Sequence, residues 1–179
     1  MIGGSGLLGL RITSRARLAG HRVIATFHAG VPPADDADWR KLDIRCRDDV
    51  TAFTVGARPD AVINAANRQS DWETTADGGA HVALAAAAAG ARLVHVSSDA
   101  VFSGTASSYD EASQPDPVTP YGAAKAAAEA AVKGIAPAAL RAASGLPGAI
   151  DVRLDSTRTQ ERLTTRLRGA REFLAPAPT

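Results

Sequence analysis

The sequence predicts an α/β fold in which a parallel sheet is doubly wound, with helices on both of its faces. Two observations predict it. Short apolar runs alternate along the chain with segments of helical periodicity, as they do in βαβ units. The first unit opens with closely spaced glycines, which suit a tight turn between a strand and a helix. The 179 residues are enough for one domain with a small appendage.

The first half of the chain contributes two predicted βα pairs. Gly20 stops the first helical pattern, and an apolar run follows it directly. Pro59 stops the second helical pattern, because the residue before a proline disfavours the helical region. These elements are helices over residues 7–19 and 48–56 and strands over residues 23–27 and 61–66.

The second half repeats the alternation. An alanine-rich helix ends at Gly90, and a strand that closes with two serines comes next. A polar loop rich in proline then leads to a helix with Pro120 just before its first turn, a position that proline favours. These elements are helices over residues 74–89, 121–133 and 158–167 and strands over residues 93–97 and 138–142, with a Gly/Pro break at residues 144–148.

Composition excludes several classes of protein. Hydrophobic residues make up 45% and charged residues 22%, which is ordinary for a globular chain. The net charge of +1 gives no field that would favour nucleic acid or an anionic membrane as a partner. No apolar run is long enough to span a bilayer and no secretory signal pattern is present, so we expect a cytoplasmic location. With Cys46 as the single cysteine and no metal-ligand spacing among the histidines, we expect no metal.

The glycine segment at the start of the chain carries the first functional signal. Gly3, Gly6 and Gly9 have the spacing that lets a backbone turn tightly and approach a pyrophosphate, as in Rossmann-like folds. The following helix would offer its N-terminal N–H groups to the phosphates. The alternative is a flexible terminal loop, but the helical pattern and strand that follow favour the βαβ interpretation.

Only Met1 and Ile2 precede this turn, whereas a strand usually has about five residues. The first strand is central in a doubly wound sheet, so a gap there would leave its neighbours unpaired. Either the coding sequence starts upstream of Met1, or another segment, such as residues 150–154, fills the gap. We favour the first explanation, and mass spectrometry of the native N-terminus distinguishes them.

A tyrosine and a lysine provide the second signal. Tyr121 and Lys125 are four residues apart and share one face of the predicted helix. A cation about 5 Å from the phenol would lower the tyrosine pKa by about two units, which suits a proton donor. Ser97 and Ser98 end the preceding strand at the edge where parallel sheets bind ligands. Taken singly, a surface ion pair and strand-end serines would be ordinary structural features.

Taken together in this order, the motifs resemble an extended short-chain dehydrogenase/reductase, and among these the dTDP-4-dehydrorhamnose reductase family. The resemblance covers nearly all of the chain and is carried most specifically by the serine strand and the Tyr-x-x-x-Lys pair. The matching segments are residues 3–9, 42–44, 63–66, 96–104, 120–125, 153–158 and 171–174.

The resemblance implies roles for individual residues. Ser98 would orient a carbonyl, Tyr121 would protonate its oxygen, and Lys125 would bind the nicotinamide ribose and lower the tyrosine pKa. The implied reaction is hydride transfer from a reduced nicotinamide to a 4-keto carbon of a nucleotide sugar. Residues expected to contact the cofactor besides Lys125 are Gly3, Gly6, Leu7, Leu8, Gly9, Thr26, His28, Asp43, Ile44, Ala65 and Ala66.

No acidic residue ends the strand at Thr26-Phe27-His28, where NAD preference usually requires one. We therefore expect NADPH as the cofactor, with NAD as the alternative and with Thr26 and His28 as phosphate contacts. His95 lies within a strand, and we expect it to be a structural histidine with its hydrogen bonds satisfied. Trp72 either contacts substrate or packs under a loop, and packing is the favoured interpretation.

The chain also departs from the family pattern. Asp77 stands where the family commonly has an asparagine that supports a proton relay. After Arg141 a short break leads almost directly into the family-like C-terminal segment, so most of the substrate lobe is missing. We expect a dinucleotide-binding Rossmann domain over residues 1–145 and a remnant of the substrate lobe over residues 146–179.

Three functions remain open at this point. The first is a reductase acting on a nucleotide sugar in dTDP-rhamnose biosynthesis. The second is a non-catalytic nucleotide-binding or regulatory protein, like the regulatory subunit of methionine adenosyltransferase in the same family. The third is an inactive truncated paralogue that does not fold stably. An exposed sheet edge would favour pairing with a second copy of the chain.

Overall fold

The computed structural model describes residues 1–30, 32, 37–136, 140–144 and 161, and for residues 140–144 it describes the backbone. The helices are α1 (Leu7–Leu18), α2 (Arg47–Ala57), α3 (Gly78–Ala88) and α4 (Pro120–Ile135). The strands are β1 (Ile24–Phe27), β2 (Asp38–Lys41), β3 (Ala61–Asn64), β4 (Arg92–Ser98) and β5 (Leu140–Ser144). A π-helical turn (Glu73–Asp77) leads into α3, and a 3₁₀ turn (Asp99–Val101) follows β4.

The predicted α/β class is confirmed, with one missed strand and one shifted strand. The last described strand is Leu140–Ser144, two residues later than expected. Strand β2 was not predicted, because its sequence Asp-Trp-Arg-Lys lacks an apolar run and it lies at the edge of its sheet. The expected helix over residues 158–167 and the segment 150–154 lie outside the described residues, apart from Glu161.

All strand pairs are parallel, in two groups that Met1 and Ile2 join. One group is β1–β2 and the other is β3–β4–β5. Toward β1, the Met1 ammonium donates to the Ile24 carbonyl at 2.7 Å and the Met1 carbonyl accepts from Thr26 N–H at 2.9 Å. Toward β3, Ile2 N–H donates to the Ile63 carbonyl at 2.8 Å, and the Ile2 carbonyl accepts from Ala65 N–H at 3.0 Å. These two residues therefore occupy the central strand position in the order β2–β1–Met1/Ile2–β3–β4–β5.

Small aliphatic side chains build the core, as the low aromatic content predicts. Ile2, Val50, Val62, Val82 and Val132 are members of the buried hydrophobic cluster, together with the alanines of α3. Alanine and glycine let α3 and α4 pack closely. A Cβ added at Gly79 of α3 would lie 2.9 Å from the Cβ of Ala128 on α4, and that close packing sets α4 against β4.

Among the helices formed by the described residues, none is both long and apolar enough to cross a membrane.

Candidate functional site

The glycine turn is built by backbone contacts that exclude side chains at two of its three glycines. Gly3 has a φ of +75°, and an added Cβ would lie 2.5 Å from the Ala66 nitrogen. At Gly9 an added Cβ would overlap the carbonyl oxygen of Gly3. At Gly6 it would meet only that same oxygen, at 3.5 Å, which is an ordinary contact. Gly3 and Gly9 therefore shape the turn, whereas the space above Gly6 is open to a ligand.

The start of α1 has the properties of an anion site. Gly6 is its N-cap and gives no side-chain hydrogen bond, and the first turn contains no acidic residue. Leu7 exposes 80% of its surface and Leu8 exposes 42%. An uncapped helix N-terminus with open glycine backbone in front of it favours a bound phosphate. The turn therefore fits the pyrophosphate of a dinucleotide.

The structure gives Thr26 a role different from the predicted phosphate contact. Thr26 is only 2% exposed, and its hydroxyl accepts a hydrogen bond from Gly3 N–H at 3.2 Å. Because this oxygen is buried in the interior, Thr26 holds the glycine turn instead of facing a ligand. His28, two residues further along the chain, is exposed, and its role as a phosphate contact stays a prediction.

An ion pair between Asp43 and Arg45 lies where β1 and β2 end. Asp43 accepts hydrogen bonds from Arg45 through both carboxylate oxygens, with the shortest distance 2.6 Å from Arg45 Nη2 to Oδ2. The hydrogen bonds from Arg45 hold the pKa of Asp43 at about 2. His28 Nδ1 lies 3.8 Å from the same Oδ2. Sequence reasoning missed Arg45, since only the fold shows that Asp43 and the end of β1 are neighbours.

Ile44, the next predicted contact, is a core residue. Its side chain is 5% exposed and lies against Gly78, where an added Cβ would be 2.7 Å from Ile44 Cδ1. Its predicted contact to a cofactor is therefore not available to the side chain. Ala65 and Ala66, by contrast, are half-buried and lie beside Gly3 of the glycine turn.

Ser98 and Tyr121 come together because α4 begins close to the end of β4. Thr119 caps α4 by accepting from Gly122 N–H at 3.0 Å. An added Cβ at Gly122 would overlap the carbonyl oxygen of Ala100, so glycine allows this close approach. Tyr121 is half-buried, and its side chain forms a hydrogen bond with Ser98. Ser98 Oγ also donates to Asp99 Oδ1 at 3.1 Å, which places an unpredicted carboxylate beside the pair.

Lys125 lies one turn below Tyr121 and is almost fully buried. It is 2% exposed, and its ammonium donates to the Val96 carbonyl at 2.5 Å. Burial lowers the pKa of Lys125 to about 8, although the charge of Glu129 acts in the opposite direction. The predicted three residues therefore gather where β4 and α4 meet, with Lys125 bonded to the strand itself.

The predicted downward shift of the Tyr121 pKa is wrong in this structure. Burial raises the pKa of Tyr121, and the charge of Asp99 acts in the same direction, against the lowering effect of the hydrogen bond with Ser98. Contrary to expectation, Lys125 does not contribute to this shift of the Tyr121 pKa. The phenol of Tyr121 is therefore kept protonated, which still suits a proton donor.

His95 connects the two parts of the site and is only partly satisfied. Asn64 Oδ1 accepts from Ala66 N–H at 3.1 Å, which leaves its amide group to donate to His95 Nδ1 at 3.2 Å. His95 Nδ1 is then the acceptor, and its proton resides on Nε2. Nε2 is buried and without a hydrogen-bond partner among the described residues, so the expectation of a fully satisfied histidine is corrected.

The burial of His95 predicts that the protein loses stability in mild acid. Burial, with help from the charge of Lys125, lowers its pKa from 6.5 to about 3. Between these values the unfolded chain binds the proton more readily, so stability falls as the pH drops below 6.5. We expect the uptake of a proton by His95 in the unfolded chain to lower the free energy of unfolding by about 2 kcal/mol between pH 7.5 and pH 5. Urea denaturation at the two pH values measures this change.

Two single substitutions test that expectation. His95→Gln keeps an acceptor for Asn64 but cannot take up a proton, so the share of the acid-induced loss that comes from His95 should disappear. His21→Gln removes an exposed histidine and should retain the loss seen in the parent chain. Equal pH dependence in the two variants would contradict the assignment to His95.

The loop between β4 and α4 is organised by Tyr109. Its phenol oxygen accepts from Gly104 N–H at 2.9 Å and from Ala106 N–H at 3.2 Å, and its ring stacks on Phe102 with centroids 4.2 Å apart. Ser103 joins this loop to Asp116 through two hydrogen bonds. The segment beside Ser98 and Tyr121 is therefore an ordered wall of the site.

Two further predicted features lie at the surface. Trp72 exposes 51% of its surface, so it does not pack under a loop as expected. Asp77 is also exposed, at the end of the π-helical turn. Across the described part of the chain, no group of three or more histidine, cysteine or acidic side chains is arranged to hold a metal ion.

Comparison of sequences relates the chain to one family model and to curated relatives. The family model described as the RmlD substrate binding domain matches residues 1–142. The Haloferax volcanii protein named "Probable low-salt glycan biosynthesis reductase Agl14" is 31% identical over 149 residues, covering 77% of this chain and 49% of that protein. The methionine adenosyltransferase 2 subunit beta of Bos taurus is 43% identical over 75 residues, covering 42% of this chain and 22% of that protein.

Solved structures resemble the fold over a similar extent. A hypothetical dTDP-4-dehydrorhamnose reductase from Sulfolobus tokodaii superposes with a TM-score of 0.67 at 26% identity, covering 80% of this chain and 54% of that one. The dTDP-4-dehydrorhamnose reductase from Bacillus anthracis, solved in complex with NADP, gives a TM-score of 0.65 at 25% identity, covering 80% and 51%. The chain spans about half the length of these relatives.

Proposed function

Because the chain belongs to the RmlD substrate binding domain family, as its motifs predicted, we propose that it is a nicotinamide-dependent reductase of a 4-keto sugar nucleotide. The observation that carries the proposal is the convergence of Ser98, Tyr121 and Lys125 where β4 meets α4. A hydroxyl, a protonated phenol and an ammonium at this edge of a parallel sheet suit reduction of a carbonyl.

The glycine turn and the ends of β1 to β3 would hold the dinucleotide. The pyrophosphate would lie over Gly6 and the exposed first turn of α1, and Ala65 and Ala66 would line the adjoining wall. His28 and Asp43 would lie at the adenosine end. NADP was present in the Bacillus anthracis reductase, which supports NADPH as the cofactor of this chain.

The proposed chemistry divides between the cofactor and the protein. A bound reduced nicotinamide supplies the hydride to the carbonyl carbon. Ser98 would donate a hydrogen bond to the carbonyl oxygen and orient it, and Tyr121 would give that oxygen its proton. Lys125, which the resemblance assigns to the cofactor ribose, is buried and bonded to the Val96 carbonyl, so it would reach the ribose only by turning its ammonium away from that carbonyl. The raised pKa of Tyr121 keeps its proton available throughout the neutral range.

The substrate half of the proposal depends on the relatives. The chain matches about half of each reductase, and we propose that residues 1–145 form the dinucleotide-binding unit and that residues 146–179 correspond to a remnant of the substrate lobe. A nucleotide sugar such as the dTDP-linked substrate named for these reductases is the proposed partner, and a second copy of the chain could pair at an exposed sheet edge.

A specific observation supports a second candidate, a non-catalytic nucleotide-binding subunit. The methionine adenosyltransferase 2 subunit beta is 43% identical to this chain over 75 residues. Such a protein would bind the dinucleotide through the same glycine turn, and turnover would not be required of Tyr121.

One preparation of the purified chain tests both candidates. We expect NADPH to bind in a calorimetric titration and dTDP-4-dehydrorhamnose to be reduced with loss of NADPH absorbance. Binding without turnover would favour the second candidate over the first. No binding of either nicotinamide dinucleotide by a chain that melts cooperatively would contradict both.

A further inference from the structure

We propose that Arg45 sets the preference of this site for a 2′-phosphorylated dinucleotide, by neutralising Asp43 beside the adenosine ribose. The inference rests on the proposed dinucleotide site and adds a specificity-determining residue to it. No property of the sequence alone points to Arg45, because the arginine is two residues beyond Asp43 and far along the chain from the end of β1.

The contacts of Asp43 show how completely Arg45 engages it. Arg45 Nε lies 3.0 Å from Oδ1 and 3.1 Å from Oδ2, while Nη2 lies 2.6 Å from Oδ2. Both side chains are about one-third exposed, 38% for Arg45 and 34% for Asp43. The guanidinium therefore binds the carboxylate through both of its oxygens at the surface of the site, the strongest geometry for such a pair.

The position of this pair gives it a consequence for ligands. In Rossmann-like sheets the residue that ends the strand after the glycine helix reads the 2′ position of the adenosine ribose. Here His28 follows β1, and its Nδ1 lies 3.8 Å from Asp43 Oδ2. An unpaired carboxylate so near that position would favour a 2′-hydroxyl and repel a 2′-phosphate. With Arg45 bound to it, the carboxylate no longer opposes the phosphate.

Two other acids make the arginine more important. Asp71 and Glu73, at the start of the π-helical turn, both act electrostatically on Arg45. Removing the guanidinium would leave Asp43 without its cation and would remove the positive charge on which Asp71 and Glu73 act. The negative potential would then weaken binding of the ligand with more negative charge, and would affect a ligand without the 2′-phosphate much less.

The pair also has a structural role, which the experiment must separate from specificity. Asp43 Oδ1 accepts from Arg45 N–H at 3.0 Å, and the Asp43 carbonyl accepts from Cys46 N–H at 3.2 Å just before α2. Neither bond uses the side chain of Arg45, so both persist when only that side chain is changed. A purely structural role would therefore change the affinities for ligands with and without the 2′-phosphate together, or change neither.

The probes are 2′,5′-ADP and 5′-AMP, which differ in the 2′-phosphate, titrated calorimetrically into the full chain at constant ionic strength. We expect Arg45→Gln to weaken 2′,5′-ADP about ten-fold and to change 5′-AMP by less than about two-fold. Arg40→Gln is the matched control, since Arg40 pairs with Asp38 at 3.0 Å, also two residues away, on β2. That variant should leave the ratio of the two affinities unchanged.

A double substitution tests whether Arg45 acts through Asp43. In an Asp43→Asn background the loss caused by Arg45→Gln should be smaller, because no carboxylate at residue 43 remains to be neutralised. An undiminished loss there, or an equal effect on both probes in the single variant, would overturn the inference. If neither probe nor NADPH binds the parent chain, the proposed dinucleotide site fails, and this inference fails with it.

Discussion

Gly9→Ala is expected to disrupt the glycine turn and to abolish dinucleotide binding. The added methyl group would overlap the Gly3 carbonyl oxygen and would lie 2.8 Å from Gly4 Cα. These are backbone atoms, and the Gly3 oxygen cannot withdraw freely because it accepts from Gly6 N–H at 3.2 Å. We expect a loss of about 2–4 kcal/mol of unfolding free energy, measured by urea denaturation.

Two other glycines provide matched controls for this result. Gly56 lies within α2 with no atom within 4 Å of an added Cβ, so Gly56→Ala should raise the free energy of unfolding by about 0.5–1 kcal/mol. Gly6→Ala meets one atom at 3.5 Å and should leave stability nearly unchanged while weakening NADPH binding. A Gly9→Ala protein as stable as Gly56→Ala would contradict our account of the turn.

Tyr121→Phe is expected to lower the rate of 4-keto sugar reduction by about 10²-fold or more, the usual contribution of a positioned proton donor. The ring and its packing remain, so NADPH affinity and the melting temperature should change little. Steady-state rates with dTDP-4-dehydrorhamnose, together with titration of NADPH, measure the two effects on one preparation. A variant that reduces the substrate as fast as the parent would remove Tyr121 from the mechanism.

The pH dependence of the parent rate separates Tyr121 from Lys125. The pKa of Tyr121 is raised above 10.0, so its proton is retained as the pH rises from neutral. The pKa of Lys125 is about 8, so the ammonium loses its charge above that pH. We therefore expect the rate to decline as the pH rises through about 8, where Lys125 loses its charge. Lys133, exposed on the same helix, serves as the control, and Lys133→Met should leave the profile unchanged.

Sequence patterns predicted the parts of the site that depend on local spacing. The interval between Tyr121 and Lys125 places both on one face of a helix, and glycine spacing predicts a tight turn wherever a strand precedes a helix. The same local reasoning failed for β2, because a short edge strand that is half-buried at Asp38 and Trp39 and exposed at Arg40 and Lys41 does not need an apolar run. It placed helix and strand ends correctly to within a few residues.

Burial and long-range contacts were the properties that local patterns could not supply. Thr26 was predicted to contact a phosphate of the cofactor, but its hydroxyl accepts a hydrogen bond from Gly3 N–H inside the protein. Lys125 was expected to lower the pKa of Tyr121, but its ammonium is turned to the Val96 carbonyl. Both outcomes depend on which elements pack against each other in the fold, and neither can be deduced from spacing along the chain.

The two-residue link at the centre of the sheet has a consequence for motion. Met1 and Ile2 connect β1 to β3 through four backbone hydrogen bonds, whereas β4 and β5 pair over five residues. Four hydrogen bonds can open locally without unfolding the strands on either side. Such an opening would separate the phosphate-binding turn from Ala65 and Ala66. Amide exchange at Ile2 and Thr26 should therefore be faster than at the buried amides of β4, and a bound dinucleotide that spans the seam should slow it.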